Sequence, residues 1–382
     1  MSEDFYVRVL QVSAYPPGRY GGSERFATEL SKKLVERGHK VTLLTSDMDS
    51  QTVYEETDGL EILRYRCINN LWNINPLTVI LHKLLRESSK YDIIHAHGHI
   101  FFTSNQVAFA KKIKDYKYIL HLHGGITPES NDAPAKRLLV KKWFYDTTLG
   151  RFTVNSADAI ASVSKIDINN AIRIFRSRKE KFVWIPPAVD TKKFCNSNFH
   201  RNNGTKNITY IGRLEPWKGA DLFIEAAKKI VAKNNSDIKF TVVGDGTLKY
   251  YLLKASVGYP IKFLGSVNHE NIPKILADST LLLLPSRLEG LPTVCVEASA
   301  CGVPIVASNV GGTSEVVKHG YNGYIYYQPD LDKAIEYITV LLDSPSLREK
   351  MGSNGVKLVE KRFSWGKVTE RVEKLYYKLI NS

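Results

Sequence analysis

Two stretches of the chain carry residues whose types and spacing could do chemistry. The first is Gly212-Arg213-Leu214-Glu215-Pro216-Trp217-Lys218-Gly219, which follows a β-rich run and precedes a helical one. Two cations at this spacing can converge on a diphosphate, Arg213 through its planar fork and Lys218 as a point charge. A solvated loop would show the same spacing, so taken alone the stretch leaves both readings open. The second runs from Pro285 to Glu297, Pro-Ser-Arg-Leu-Glu-Gly-Leu-Pro-Thr-Val-Cys-Val-Glu. Gly290 allows close backbone approach, Pro292 suits a first helical position, and the free amides of a helix start are an anion site. Glu289 then falls just before the helix and Glu297 about two turns later. Carboxylates so placed would not share a proton; they would grip different hydroxyls along an extended ligand. Singly, each glutamate reads as exposed surface.

Both stretches need elements that place them at one end of a sheet, and the sequence supplies these twice. In residues 1–186, Val7 to Val12 and Val41 to Thr45 read as strands. Between them Phe26, Leu30, Leu34 and Val35 recur at helical spacing, with Gly38 placed to cap the helix. Ile93-Ile94-His95 and Tyr118 to Leu122 continue the alternation. The proline pair Pro186-Pro187 and the polar run Asn196 to Lys206 mark residues 187–206 as a linker. The pattern restarts in residues 207–362, with strands expected at Asn207 to Gly212, Phe240 to Gly244, Lys262 to Gly265, Leu281 to Pro285 and Val303 to Ala307. Residues 363–382 close the chain with an amphipathic helix carrying Val368, Val372, Leu375, Tyr376 and Leu379. The fold class is α/β, two doubly wound Rossmann-like domains. Ligands of open parallel sheets bind outside the carboxyl ends of the strands, and two such sheets facing each other would form a cleft.

Together these residues resemble the retaining glycosyltransferases of family 4, of GT-B architecture, over nearly the whole chain. The Arg213 to Lys218 loop, the E-x7-E of Glu289 and Glu297, Cys301-Gly302-Val303-Pro304 and Gly311-Gly312-Thr313-Ser314-Glu315 occur in family order. The resemblance implies that Arg213 and Lys218 neutralise the diphosphate of a nucleotide sugar while the backbone of Gly290, Leu291, Pro292 and Thr293 completes its cradle. It implies Glu297 on the ribose, Glu289 on a donor-sugar hydroxyl, and the main chain of Ser266 and Val267 against the base. Gly21 and Gly22 would let the first helix approach the diphosphate. His123, in His121-Leu122-His123-Gly124-Gly125, matches the family histidine that lines the donor sugar, and His97 fits a family segment without a defined role. Pro187-Ala188 departs from the family's asparagine-glycine pair at the hinge, and Gly290-Leu291-Pro292-Thr293 departs from the glycine-aromatic form. Retention without an evident nucleophile implies same-face attack, in which the departing phosphate takes the acceptor's proton. The expected reaction moves a hexose-type sugar to a hydroxyl acceptor, a lipid-linked or membrane-surface glycan. Since cations and helix amides would stabilise the leaving charge, no cofactor and no metal are expected.

Competing readings are weaker. Asp47-Met48-Asp49 and Asp330-Leu331-Asp332 imitate the D-x-D of metal-dependent transferases without supporting context, and Gly244-Asp245-Gly246-Thr247-Leu248-Lys249 lacks the last glycine of a dinucleotide fingerprint. A nucleotide-sugar epimerase would keep most of the same contacts and stays open as the alternative. Cys67, Cys195, Cys295 and Cys301 form no C-x-x-C pair and no metal-spaced cluster with histidine, which fits a reducing, cytoplasmic setting. The acidic start, Met1-Ser2-Glu3-Asp4, does not read as a secretory signal. The formal charge of +14 is uneven, with 15 Lys/Arg against 7 Asp/Glu in residues 111–181. Charge alone would also suit nucleic acid, but no reading motif accompanies it, so no nucleic-acid partner is expected. Lys136 to Tyr145 interleaves cations with apolar residues and reads either as an ordinary amphipathic surface helix or as an interfacial one on an anionic, peripheral membrane surface.

Overall fold

The computed structural model of the chain describes residues 6–18, 22–48, 52–71, 75–124, 126, 141–194, 206–233 and 237–382. Two compact units emerge. One gathers the described residues up to Ile126, those from 141 to Pro187, and Val368–Ser382; the other is Ala188–Lys367.

The first unit is built on β1 (Arg8–Val12), β2 (Lys40–Ser46), β3 (Tyr54–Thr57), β4 (Leu60–Tyr65), β5 (Cys67–Leu71), β6 (Asn75–Thr78), β7 (Ile93–His97), β8 (Lys117–Leu122), β9 (Ala159–Ser162) and β10 (Phe182–Trp184). Eight of these form one sheet in the order β10-β9-β8-β7-β1-β2-β4-β3, parallel except for the antiparallel edge strand β3. β5 and β6 pair separately as a hairpin. The strands expected at β1, β2, β7 and β8 are present. Among those not anticipated, β3 and β5 are short, polar and largely exposed, so no apolar alternation announces them, whereas β4 does alternate and β9 is a buried run of only four residues. Burial on both faces explains the continuous apolar runs of the central strands, where Val9, Val12, Ile93, Ile94, Ile119 and Leu120 are fully buried.

The helix Gly22–Val35 follows β1, and Gly38, with φ of 88°, takes the left-handed conformation that ends it. The closing helix Trp365–Ile380 matches its expected span, and Val368, Val372, Leu375 and Tyr376 are its buried stripe. From Val368 onward this helix packs within the first unit, so the last segment of the chain returns to the domain that begins it.

The second unit holds β11 (Lys206–Ile211), β12 (Ile238–Val243), β13 (Ile261–Gly265), β14 (Leu281–Leu284), β15 (Ile305–Ser308) and β16 (Gly323–Tyr326) in one parallel sheet, ordered β13-β12-β11-β14-β15-β16. Five strands were expected and a sixth, β16, completes the edge; its four residues sit among tyrosines behind an Asn-Gly turn signal. Phe223, Ala226, Ala227 and Ile230 of the helix Ala220–Ala232 fill the core against Ile208, Tyr210, Phe240 and Leu281. Of the expected linker, the structure describes Pro187 to Phe194, including the short helix Thr191–Phe194, and Lys206, which already belongs to β11.

Candidate active site

In each sheet the strand order reverses beside the first strand, the position outside whose carboxyl ends open parallel sheets bind ligands. In the second unit this switch point lies between β11 and β14. The loop after β11 carries Arg213 and Lys218, and the loop after β14 carries Glu289. They meet: Lys218 Nζ lies 2.8 Å from Glu289 Oε1 and 2.7 Å from Oε2. Ser286 Oγ donates to Glu289 Oε1 at 2.7 Å. An ammonium has three donors, so Lys218 keeps one for a further acceptor.

The two loops are fastened by backbone. Arg287 N and Leu288 N donate to Trp217 O at 2.9 and 3.1 Å. Arg287 adds a bidentate pair with Asp221 at 2.8 and 2.7 Å and a bond to Pro216 O at 2.7 Å. Beneath them Tyr210 donates its hydroxyl to Arg213 O at 2.9 Å. Gly219, with φ of 68°, passes so close that a Cβ would stand 2.0 Å from Pro285 O. Gly311 does the same for the other loop. Its φ is 50°, a Cβ there would stand 1.8 Å from Glu289 O, and Gly312 N donates to Gly290 O at 2.6 Å. The Gly311-Gly312 pair is therefore a seat for the Glu289-Gly290 backbone.

Glu289 and Glu297 are 7% and 5% exposed, which overturns the expectation of exposed carboxylates that each invites when taken singly. Both have partners. Glu297, on the helix Thr293–Ala300, faces His269 Nε2 at 2.8 Å. Arg213 is exposed, its guanidinium 5.8 Å from the Trp217 ring centroid, and Ser266 and Val267 follow β13, with Gly265 at φ of 70°. Leu291 and Pro292 are buried, whereas Gly290 and Thr293 keep partial exposure at the start of that helix. Cys295 beside this site is buried, and burial first, then the Glu289 charge, pushes its thiol well above the ordinary range.

In the first unit the switch point lies between β1 and β7. Strand alternation puts His95 and His97 of β7 on one face, and the parallel register that pairs His97 with His121 puts His121 and His123 beside them. The four imidazoles form a stack. Ring centroids are 4.7 Å apart for His95 and His97, 5.1 Å for His97 and His123, and 4.4 Å for His121 and His123. Phe26 of the first helix meets His121 and His123 edge-on at 4.9 and 5.3 Å. Gly22 opens that helix; Gly21 and residues Lys136 to Val140 lie outside the described residues.

Burial, followed by the neighbouring imidazoles, holds the pKa of His95, His97 and His123 well below the ordinary value. Burial lowers that of His121 to about 3. Nitrogens of His95, His97 and His121 lie within 4.8 Å of one another, a gathering of ligand-type residues that the sequence spacing did not announce. Their rings are tilted by only 1° to 23°, so the in-plane lone pairs run side by side instead of converging. Both nitrogens of His97 and Nδ1 of His95 are also engaged in hydrogen bonds. His95 and His97 are links in a hydrogen-bonded ladder that ends at His123, and His121 is stacked against it; the set is not a coordination sphere.

Sequence reading missed Ser286, His269, Tyr210, Gln11 and Tyr376. Ser286 lies within the Pro285 to Glu297 stretch but has no chemical signature of its own, and the others stand outside the two stretches. His269, two residues past Val267 in a loop after a strand, could have been found by asking what balances Glu297.

Residues 194–358 match the family described as Glycosyl transferases group 1, and residues 20–193 match Glycosyltransferase Family 4. The chain belongs to the family 4 glycosyltransferases. This glycosyltransferase is 27% identical to an uncharacterised glycosyltransferase of Methanocaldococcus jannaschii over 95% of both chains. It is 28% identical to the UDP-Gal:alpha-D-GlcNAc-diphosphoundecaprenol alpha-1,3-galactosyltransferase of Escherichia coli over 79% of each. In fold it superposes on Anabaena HepE, solved in complex with UDP-glucose, with a TM-score of 0.76 at 19% identity over 98% of this chain and 100% of that one. GT-B architecture is thus common to the chain and its structural neighbours. No helix among the described residues is long and apolar enough to cross a membrane.

Proposed function

We propose that the enzyme transfers a hexose-type sugar from a nucleotide diphosphate to a hydroxyl acceptor with retention of the anomeric configuration. The observation that supports this reading best is the meeting of Lys218 and Glu289 across the β11/β14 switch point, 2.7 Å apart, with Arg213 exposed on the same loop as Lys218. Departure of the nucleotide diphosphate builds negative charge on its oxygens. Arg213, the third donor of Lys218 and the amides opening the helix Thr293–Ala300 are fixed donors for that charge, stabilising it without a rearrangement at the moment of reaction. Because the chain supplies this charge itself, the reading includes no divalent metal. Glu289, bound to Lys218 and Ser286, is held to accept from a sugar hydroxyl, and Glu297, oriented by His269, from the ribose. His123 is read as a donor-sugar contact from the family resemblance of its His-Leu-His-Gly-Gly segment. The departing phosphate takes the acceptor's proton as the new bond forms on the same face.

The name of the E. coli relative specifies a UDP-sugar donor and a diphospholipid-linked acceptor, and we carry that acceptor class to this chain. The experiment is incubation of the protein with UDP-galactose, UDP-glucose or GDP-mannose, with and without a polyprenyl-diphosphate-linked acceptor, in buffer containing a chelator. The expected result is α-linked product only when acceptor is present, undiminished by the chelator. Conversion of donor to its epimer without acceptor would replace the transferase reading, and loss of turnover in chelator would remove its metal independence.

A further inference from the structure

A chain of hydrogen bonds runs from the closing helix to His123, wholly inside the first unit. Tyr376 Oη lies 2.8 Å from His95 Nδ1, and Gln11 Nε2 donates to that hydroxyl at 3.1 Å. The other end of the same amide, Gln11 Oε1, lies 2.7 Å from His97 Nε2, and His97 Nδ1 lies 2.8 Å from His123 Nε2. Gln11, His95, His97 and Tyr376 are fully buried or within 1% of it, so water does not relieve a mismatched pair.

The amide of Gln11 fixes the direction of every bond. A carbonyl oxygen can only accept, so His97 must carry its proton on Nε2. Burial keeps these rings neutral, and a neutral imidazole has one donor and one acceptor. His97 Nδ1 is therefore an acceptor, and His123 must donate to it from Nε2. On the far side the Tyr376 hydroxyl, receiving from Gln11, donates its own proton to His95 Nδ1.

We infer that Gln11, His97 and Tyr376 are positioning residues that lock His123 in one tautomer and one ring orientation, leaving Nδ1 as an acceptor for a hydroxyl of the donor sugar. This rests on the proposed function only for what His123 touches; the tautomer lock is a property of the unliganded protein. A sugar hydroxyl that must donate to Nδ1 would turn away from a ring bearing a proton there, so the lock sets hydroxyl geometry at that carbon. Through Tyr376, the closing helix contributes to the donor site without touching substrate.

The test is long-range proton–nitrogen correlation on protein labelled with 15N-histidine, with turnover and UDP affinity measured beside it. The wild type should show His97 and His123 as single tautomers protonated at Nε2. Gln11→Met keeps the side-chain length and removes both amide groups. It should bring a second tautomer at both histidines and lower kcat roughly three- to tenfold, the loss of about one hydrogen bond, with the Kd for UDP unchanged. His97→Asn, whose Oδ1 can take the place of Nδ1, should recover most of the kcat that His97→Leu loses. If Gln11→Met does not fold, Tyr376→Phe serves, and a second tautomer at His95 and His97 is then expected. A proton on His123 Nδ1 in the wild type, or a single unchanged tautomer and unchanged kcat in Gln11→Met, would overturn the inference. A wild type that turns over none of the nucleotide sugars would sink the transferase reading alone, since the tautomer spectra would still decide the lock.

Discussion

Lys218 and Arg213 stand on the same loop but are held differently, and the difference governs what each substitution reports. Arg213 is exposed, its guanidinium beside Trp217, so Arg213→Ala should change stability by no more than about 0.5 kcal/mol while weakening donor binding by about tenfold. Lys218 neutralises a carboxylate that is 7% exposed. Its removal leaves Glu289 with Ser286 alone, so Lys218→Ala should also cost about 1–3 kcal/mol of stability, measured by urea unfolding. An Arg213→Ala variant as unstable as Lys218→Ala would contradict this division. The cations could be read from the sequence because strand–loop–helix spacing puts them at a sheet end. The ion pair could not, since it joins loops 71 residues apart and depends on a register that only the folded sheet supplies.

At the scale of elements, three glycines with positive φ separate space from strain. Gly219→Ala and Gly311→Ala would drive a Cβ to within 2.0 and 1.8 Å of backbone in the two site loops, whereas Gly320, with φ of 74°, has nothing within 4 Å. Gly320→Ala should therefore cost about 1 kcal/mol of left-handed strain with activity kept, and the other two should lose most turnover even where the fold survives. Equal turnover in all three would show that the loop seats do not matter. The histidine ladder makes the first unit acid-sensitive. Its imidazoles have folded pKa values below the unfolded one, so the unfolded chain binds more protons as pH falls from about 6.5 toward about 3. Stability present above about pH 6.5 should be lost through that window at up to about 1.4 kcal/mol per pH unit for each histidine. A His121→Leu variant should lose less melting temperature between about pH 7 and pH 5; an identical slope would contradict the ladder's role. His-x-His on two successive strands was legible as text, but its meaning came from the parallel register that stacks the rings.

At the scale of the whole molecule, both doubly wound sheets followed from alternating apolar runs and loops, because central parallel strands are buried on both faces. Edge strands such as β3 and β16 escaped because edges are short and polar or aromatic. The closing helix was legible as an amphipathic stripe, though not the unit it would serve. Val368, Val372, Leu375 and Tyr376 bury about 1.5–3 kcal/mol each, a sum that rivals the 5–15 kcal/mol stability of a domain. Truncation after Ser364 should accordingly abolish the first unit's cooperative melting transition while the second unit keeps its own; calorimetry showing both transitions intact would refute this. The donor grip is tested most directly by turnover of nucleotide sugar by Arg213→Ala, Lys218→Ala and Glu289→Ala beside the wild type. Transfer should be abolished in Glu289→Ala, and both donor binding and kcat weakened in the two cation variants. Near-normal turnover in all three would contradict it.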